Sequence, residues 1–174
     1  MLLKNRTRRE WRNMKIGIIA DTHDHMDNTK KAVSAFAERG VKKVYHCGDI
    51  VAPFVVPVLK GGGFEECVAV FGNNDGEWLL LSRFFQQVGS ISKPPLFTDA
   101  EGKRIALLHE PLPMDAMESL PVDIVAFGHT HEIVVKEGRP LVVNPGECCG
   151  YLTGRATVAV ADLEEMKAEI IDLG

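Results

Sequence analysis

Seven side chains able to bind metal stand at the ends of short apolar runs in this sequence. Ile18-Ile19-Ala20 leads into Asp21 and His23, and Val44-Tyr45-His46-Cys47-Gly48 leads into Asp49. Val70-Phe71-Gly72 leads into Asn73, Ala106-Leu107-Leu108 into His109, and Val125-Ala126-Phe127-Gly128 into His129 and His131. Two carboxylates, one amide and four imidazoles form a mixed nitrogen and oxygen donor set. Such a set suits manganese, iron, nickel, cobalt or zinc, whereas calcium and magnesium prefer oxygen alone. It is large enough for two ions, with one carboxylate bridging them at about 3.5–4 Å. A pair of that kind acidifies a water and offsets the charge that gathers on phosphorus. The chemistry predicted is in-line attack of hydroxide on a phosphate ester.

Taken singly, each residue has a plain structural reading. A strand-end Asp is often a helix N-cap, and Asn73 before Asn74-Asp75 suits a tight turn. His109 fits a buried core histidine, and Asp-x-His or His-x-His fits a solvated turn. What those readings leave unexplained is the recurrence of such residues at successive strand ends.

The elements that must position these residues can be read from the pattern. Apolar runs at Ile16–Ala20, Lys43–His46 and Cys67–Phe71 predict strands. Between the first two, residues 29–39 place Ala32, Val33, Ala35, Phe36 and Ala37 on an amphipathic helix, with Asn28 as N-cap and Gly40 as its stop. A second helix is expected over 78–87, and a brief one near 114–120. Strands alternating with helices predict parallel βαβ units, whose carboxyl ends converge on one crevice. Gly48, Gly72 and Gly128 directly precede candidate ligands, where the backbone must turn sharply or come close. Gly61-Gly62-Gly63 reads as a loop. Further strands are expected at 104–108, 124–127, 132–136, 141–144, 156–161 and 167–172. The turn at Glu137-Gly138 makes 132–136 and 141–144 antiparallel.

A chain of 174 residues suits one domain with a full core, and 45% hydrophobic with 25% charged residues is ordinary for a globular protein. No apolar run approaches the roughly 20 residues of a membrane helix. The net charge of −4 argues against general affinity for nucleic acid. Residues 1–13 carry five basic side chains against one acidic, leaving a net charge of −8 on the rest. That segment is expected to be a disordered basic extension, because Met14 directly precedes the first apolar strand. It lacks the apolar core of a secretory signal. Cys47, Cys67, Cys148 and Cys149 form neither a disulfide framework nor a Cys-x-x-Cys zinc site, which predicts reduced thiols in a cytoplasm.

The series Asp21-Thr22-His23, Gly48-Asp49, Gly72-Asn73-Asn74-Asp75, His109 and Gly128-His129-Thr130-His131 resembles the calcineurin-like metallophosphoesterases. With the stretch from Asn144-Pro145-Gly146-Glu147 to Gly154, it looks most like the small YfcE-type phosphodiesterases and their archaeal relatives. The resemblance covers about residues 14–172 and makes 14–174 one metallophosphoesterase domain. It implies an α/β fold, a four-layer αββα sandwich of two mixed sheets flanked by helices, with the metal site at the C-terminal strand ends. By the family pattern Asp21, His23 and His131 hold one metal, Asn73, His109 and His129 the other, and Asp49 bridges. Manganese or nickel stands first among the metals. Asp49, Asn73 and His109 count as catalytic groups as well as ligands, and homodimers or larger homo-oligomers are common.

Two positions depart from the pattern. Many family members have His where this chain has Asn74, and an amide cannot protonate a poor leaving group as an imidazolium can. Asn74 is therefore expected to contact substrate only, which shifts the implied activity from phosphatase to phosphodiesterase on a small diester. Glu110 replaces the usual Gly and is expected to be a loop residue, with restriction of anionic substrates as the functional option. His25 is a further candidate for touching phosphate or donating a proton, and is equally readable as a surface loop histidine. His46 is expected to pack beside Asp49, and Cys148 and Cys149 to be small buried hydrophobes near the site. The competing functions are a non-catalytic protein-binding scaffold of the same fold, or a nuclease using the basic segment. Every ligand position is filled, which disfavours the first, and the acidic body disfavours the second.

Overall fold

The computed structural model describes residues 14–174, so the expectation for the basic segment lies outside the described residues. The first sheet has six strands in the order β11-β10-β1-β2-β3-β4. These are β1 (Lys15–Ile19), β2 (Lys43–His46), β3 (Glu66–Val70), β4 (Gly89–Ser92), β10 (Thr157–Asp162) and β11 (Lys167–Asp172). The second has five, in the order β5-β6-β7-β9-β8. They are β5 (Leu96–Ala100), β6 (Lys103–Leu107), β7 (Ile124–Ala126), β8 (Ile133–Lys136) and β9 (Leu141–Pro145). The strands β1 to β4 pair in parallel, as do β6, β7 and β9, while β10, β11, β5 and β8 are antiparallel additions.

Side-chain alternation along the strands builds the layers. Ile16, Ile18, Tyr45, Val68 and Val70 of the first sheet meet Ile105, Leu107, Ile124, Ala126, Leu141 and Val143 of the second in one inner core. The opposite residues of the first sheet, Ile19, Val44 and Ala69, pack under α1 (Met26–Glu38), α2 (Val56–Gly61) and α3 (Trp78–Phe85) through Phe36, Leu59, Leu81 and Phe85. On the far side Ala106, Leu108, Val125 and Val142 pack against Met117 of α4 (Met114–Glu118). Helices, sheet, sheet and helix thus form the four layers, as the family resemblance implies.

Three details differ from the sequence reading. The first helix starts at Met26 and not at residue 29, because His25 caps it by accepting the Asn28 backbone N–H at Nδ1 (3.2 Å). Asn28 lies inside the helix, and its amide instead donates to the Cys149 carbonyl (3.1 Å). α2 reaches Gly61, so the glycine run begins as a helix end, with Gly63 taking the positive φ of 66°. Finally β4 and β5 carry no strong apolar signal: β4 reads Gly-Ser-Ile-Ser, and β5 is half exposed.

Candidate metal centre

The strand ends that carry the seven candidate ligands come from both sheets, not from a single crevice in one. Asp21 and His23 follow β1, Asp49 follows β2 and Asn73 follows β3. His109 follows β6, and His129 and His131 follow β7. Backbone bonds tie the loops together: Asp21 N–H donates to Gly48 O (3.0 Å), His23 N–H to Asp49 O (3.0 Å), and Gly128 N–H to His109 O (3.1 Å). The sheets are joined here by the His129 N–H, which donates to Asp21 Oδ2 (3.1 Å). Asp21, His23, Asp49, His129 and His131 all take positive φ, between 40° and 69°. Asp and His tolerate this left-handed region better than most residues, at a cost of about 1–3 kcal/mol each. At Gly72, any Cβ would collide with the Asp49 carboxylate and backbone, so the close approach expected of this glycine is observed. Gly48 turns the chain at φ 95°, where a Cβ would sit 2.7 Å from His109 Nδ1.

The donors fall into two sets around Asp49. The donor atoms of Asp21, His23 and His131 lie within 4.8 Å of one another. On the other side, Asn73 Oδ1 lies 2.8 Å from His109 Nε2 and 2.9 Å from His129 Nδ1. Asp49 faces both sets: Oδ2 is 3.5 Å from His23 Nε2, and Oδ1 is 3.4 Å from His109 Nε2.

His109 tests whether cations fit. Burial pushes its imidazole pKa down, which favours the neutral ring with a single N–H. That N–H belongs on Nδ1, because the Cys47 carbonyl 2.8 Å away only accepts. Nε2 then presents a lone pair toward Asn73 Oδ1 and Asp49 Oδ1, two further acceptors. Three lone pairs facing one another with no proton between them define a place for a positive ion. Burial also pushes Asp21 up to about 7, the cost of a carboxylate held at 0% exposure beside Asp49. The residues fit divalent metal.

A family model for the calcineurin-like phosphoesterase superfamily domain matches residues 14–166. The chain belongs to that superfamily. Phosphodiesterase MJ0936 of Methanocaldococcus jannaschii is 39% identical over 158 residues, spanning 87% of this chain and 95% of that one. The solved structure of an archaeal phosphodiesterase superposes with a TM-score of 0.82 at 36% identity, covering 91% of this chain and 99% of that one. The phosphoesterase YfcE of E. coli shares the fold, with a TM-score of 0.66 at 23% identity over 92% of this chain and 100% of that one. Membership and the first relative make this chain a hydrolase of phosphoesters, and the superfamily implies divalent metal ions.

Around the superfamily's ligand pattern, the structure adds supporting residues that the sequence reading did not single out. Glu147, fully buried, accepts from His131 Nδ1 (2.7 Å), Cys149 Sγ (3.1 Å), Leu152 N–H (2.9 Å) and the Thr153 hydroxyl (2.7 Å). Burial alone would raise its pKa, but the Thr153, Cys149 and His131 donors together hold it down at about 2. Its charge fixes the His131 proton on Nδ1 and turns Nε2 toward Asp21, 3.6 Å away. Such a carboxylate behind a metal-binding imidazole raises ligand basicity. Glu147→Gln, which keeps the shape and removes the charge, is therefore expected to weaken metal binding by about 10-fold or more, as read by titration calorimetry. Unchanged affinity would show that the pair only packs the loop.

Asp75 and His46 brace the loops from behind. The buried Asp75 accepts from Ile50 N–H (2.7 Å), Val51 N–H (2.6 Å) and Gly72 N–H (2.7 Å), clamping the loop after β2 to the loop after β3. Burial drives His46 down to about 3, so it is neutral. It accepts from Gly48 N–H at Nδ1 (3.2 Å) and donates from Nε2 to Thr22 Oγ1 (3.1 Å), which places it beside Asp49 as expected.

Asn74 donates its backbone N–H to Asp49 Oδ1 and its amide to Asp49 Oδ2, each at 2.8 Å. Its observed work is to orient the carboxylate that faces both donor sets. Among the described residues, His25 has hydrogen bonds only within the start of α1 and its loop, and its ring lies 5.3 Å from that of Tyr151. Glu110 is exposed, as a loop residue, and also lines a cleft beside His109. Cys148 and Cys149 are buried free thiols whose backbone N–H groups bond Ala20 O and Asp21 O. Among the described residues, no helix is long and apolar enough to cross a membrane.

Proposed function

We infer that the protein is a phosphodiesterase that uses two divalent metal ions, manganese or nickel first, with iron, cobalt or zinc as alternatives. The observation that carries this reading is Asp49, whose two oxygens face different imidazoles on either side. Asp21, His23 and His131 would hold one ion, Asn73, His109 and His129 the other, and Asp49 would bridge. When bound, the ions supply a water acidic enough for in-line attack and positive charge against the phosphate oxygens.

The chain's own residues set the substrate class. Asn74 has its amide committed to Asp49 and holds no proton for a leaving oxygen, while its remaining surface can still contact substrate. His25 is the remaining candidate proton donor, at Nε2, since its Nδ1 accepts from Asn28. Without a strong acid, the site favours small diesters over monoesters with poor leaving groups. Residues 14–174 act as one domain in this reading. The relative named above is a phosphodiesterase, in keeping with this reading. Four buried free thiols accord with a cytoplasmic setting, and a homodimer or larger homo-oligomer with the family resemblance.

The test is turnover by metal-stripped protein reloaded with each metal in turn, on a phosphomonoester, a linear diester and a cyclic nucleotide. Hydrolysis of a diester, restored best by manganese or nickel, is expected, with the monoester slower. A monoester turned over faster than both diesters would overturn the diesterase reading.

A further inference from the structure

A cleft of about 420 Å³ opens directly beside the Asn73 and His109 side of the metal centre. Its walls are carbon: Phe71, Trp78, Pro94, Pro95, Leu108 and Leu112. The strand ends that deliver ligands also deliver these walls, since Phe71 stands two residues before Asn73 and Leu108 immediately before His109. Trp78 stacks on Phe71 with ring centroids 4.9 Å apart and an interplanar angle of 17°, and the Lys93 ammonium lies 4.8 Å from its ring. The indole is thus held in place on two counts before any ligand arrives. Yet Trp78 remains 42% exposed and Leu112 44%, in a chain that buries Phe36 and Phe85 completely. Apolar surface left open, fixed in position and continuous with a reaction centre is the usual form of a ligand pocket, and the volume lies within the usual range of about 300–1,000 Å³.

We propose that this cleft binds an uncharged aromatic ring carried by the ester, and so makes aryl or nucleoside phosphodiesters the favoured substrates. This rests on the phosphodiesterase reading above. The walls choose the occupant. Proline rings and the Phe71–Trp78 stack offer flat apolar faces and no hydrogen-bond donors but the indole N–H, so they select by shape and stacking. A short alkyl ester would leave them wet. At the rim, Glu110 and Lys93 oppose one another in charge, and Glu110 stands next to the ligand His109. A second anionic group on the ring would meet that carboxylate as it approached the centre. The cleft shares Asn73 and His109 with the donor set, so a ring seated there would adjoin a phosphate held by those residues. This gives Glu110 a place in the wall as well as in its loop.

The test uses two diesters with the same leaving group, bis(p-nitrophenyl) phosphate and methyl p-nitrophenyl phosphate. They differ only in the group that stays on phosphorus. The ratio of their kcat/KM values is measured for the metal-loaded protein and for Trp78→Ala and Leu112→Asn. The intrinsic reactivity of each ester cancels between native protein and variant. Removing a stacking wall is expected to lower the aryl-to-methyl ratio by at least about fivefold. Leu112 is half exposed in a loop, so its variant answers the question even where Trp78→Ala folds poorly. A ratio equal to the native one in both variants overturns the proposal.

A second measurement does not depend on turnover. In a Trp11→Phe background, Trp78 is the sole tryptophan, and its fluorescence reports binding of diphenyl phosphate or dimethyl phosphate. Diphenyl phosphate is expected to bind at least about fivefold tighter. Equal binding overturns the aromatic cleft. Tighter diphenyl binding without hydrolysis of either nitrophenyl ester would keep the cleft and remove the phosphodiesterase reading.

Discussion

Asp49→Asn is expected to reduce metal-dependent diester hydrolysis by about a thousandfold or more. A metal pair contributes several kcal/mol of charge stabilisation, and each 1.36 kcal/mol is about tenfold in rate. Asp49 faces both donor sets, at 3.5 Å from His23 and 3.4 Å from His109. An amide in its place keeps one oxygen but loses the charge and the second acceptor. It would also turn an NH₂ toward the Asn74 donors, which now bond both Asp49 oxygens. The fold should not suffer. Asp49 is 1% exposed beside the buried Asp21, and two like charges buried together are costly, so losing one of them offsets the hydrogen bond lost to Asn74 and the neutral variant without metal should melt close to the native temperature. Lost activity with intact melting is the signature of a ligand. Native-level turnover in the metal-loaded variant would remove Asp49 from the site. His131→Ala is expected to behave alike in activity, while leaving Glu147 without its imidazole.

Much of this centre is visible in the sequence because its parts are local. Each candidate ligand stands within a few residues of the end of an apolar run, and a parallel strand order brings such ends together whatever the loops do. Asp21, Asp49 and His129 also suit left-handed backbone, so residue type and turn geometry agree at those points. The layers follow from alternation: Ile18 and Ile19 are neighbours in the chain yet enter different cores. The supporting residues are less legible because their partners are distant. Asp75 bonds Ile50 and Val51 across two loops, and nothing in Asn73-Asn74-Asp75 separates a clamp from a turn. Glu147 reaches His131 only because β9 lies beside β7. Asn28 has the composition of an N-cap, but the bend after β1 sets His25 there first. The cleft was equally hidden, since Lys93-Pro94-Pro95 precedes a weak strand and meets Trp78 only through the fold.

Removing metal is expected to end turnover and to lower the melting temperature by about 5–10 °C. A ligand at a hundred times its dissociation constant stabilises the native state by about 2.7 kcal/mol, and each kcal/mol moves a domain of this size by about 2–4 °C. The centre is built at a loss that bound cations would recover. Two carboxylates, Asp21 and Asp49, are buried within reach of one another, and burial, with the charges of Asp49 and Glu147 nearby, pushes Asp21 up to about 7 even against His131. His109 Nε2 faces oxygens that cannot donate to it, at 2.8 Å and 3.4 Å. Five of the candidate ligand residues hold left-handed backbone, at about 1–3 kcal/mol each. Scanning fluorimetry of chelator-treated and metal-reloaded protein measures the shift. The same experiment on Asp49→Asn separates specific binding from a salt effect, because losing the shared carboxylate should shrink the shift by half or more while ionic strength acts on both proteins alike. A melting temperature indifferent to manganese, nickel, iron, cobalt and zinc would mean that these donors hold no metal. The strain in their loops would then need another cause.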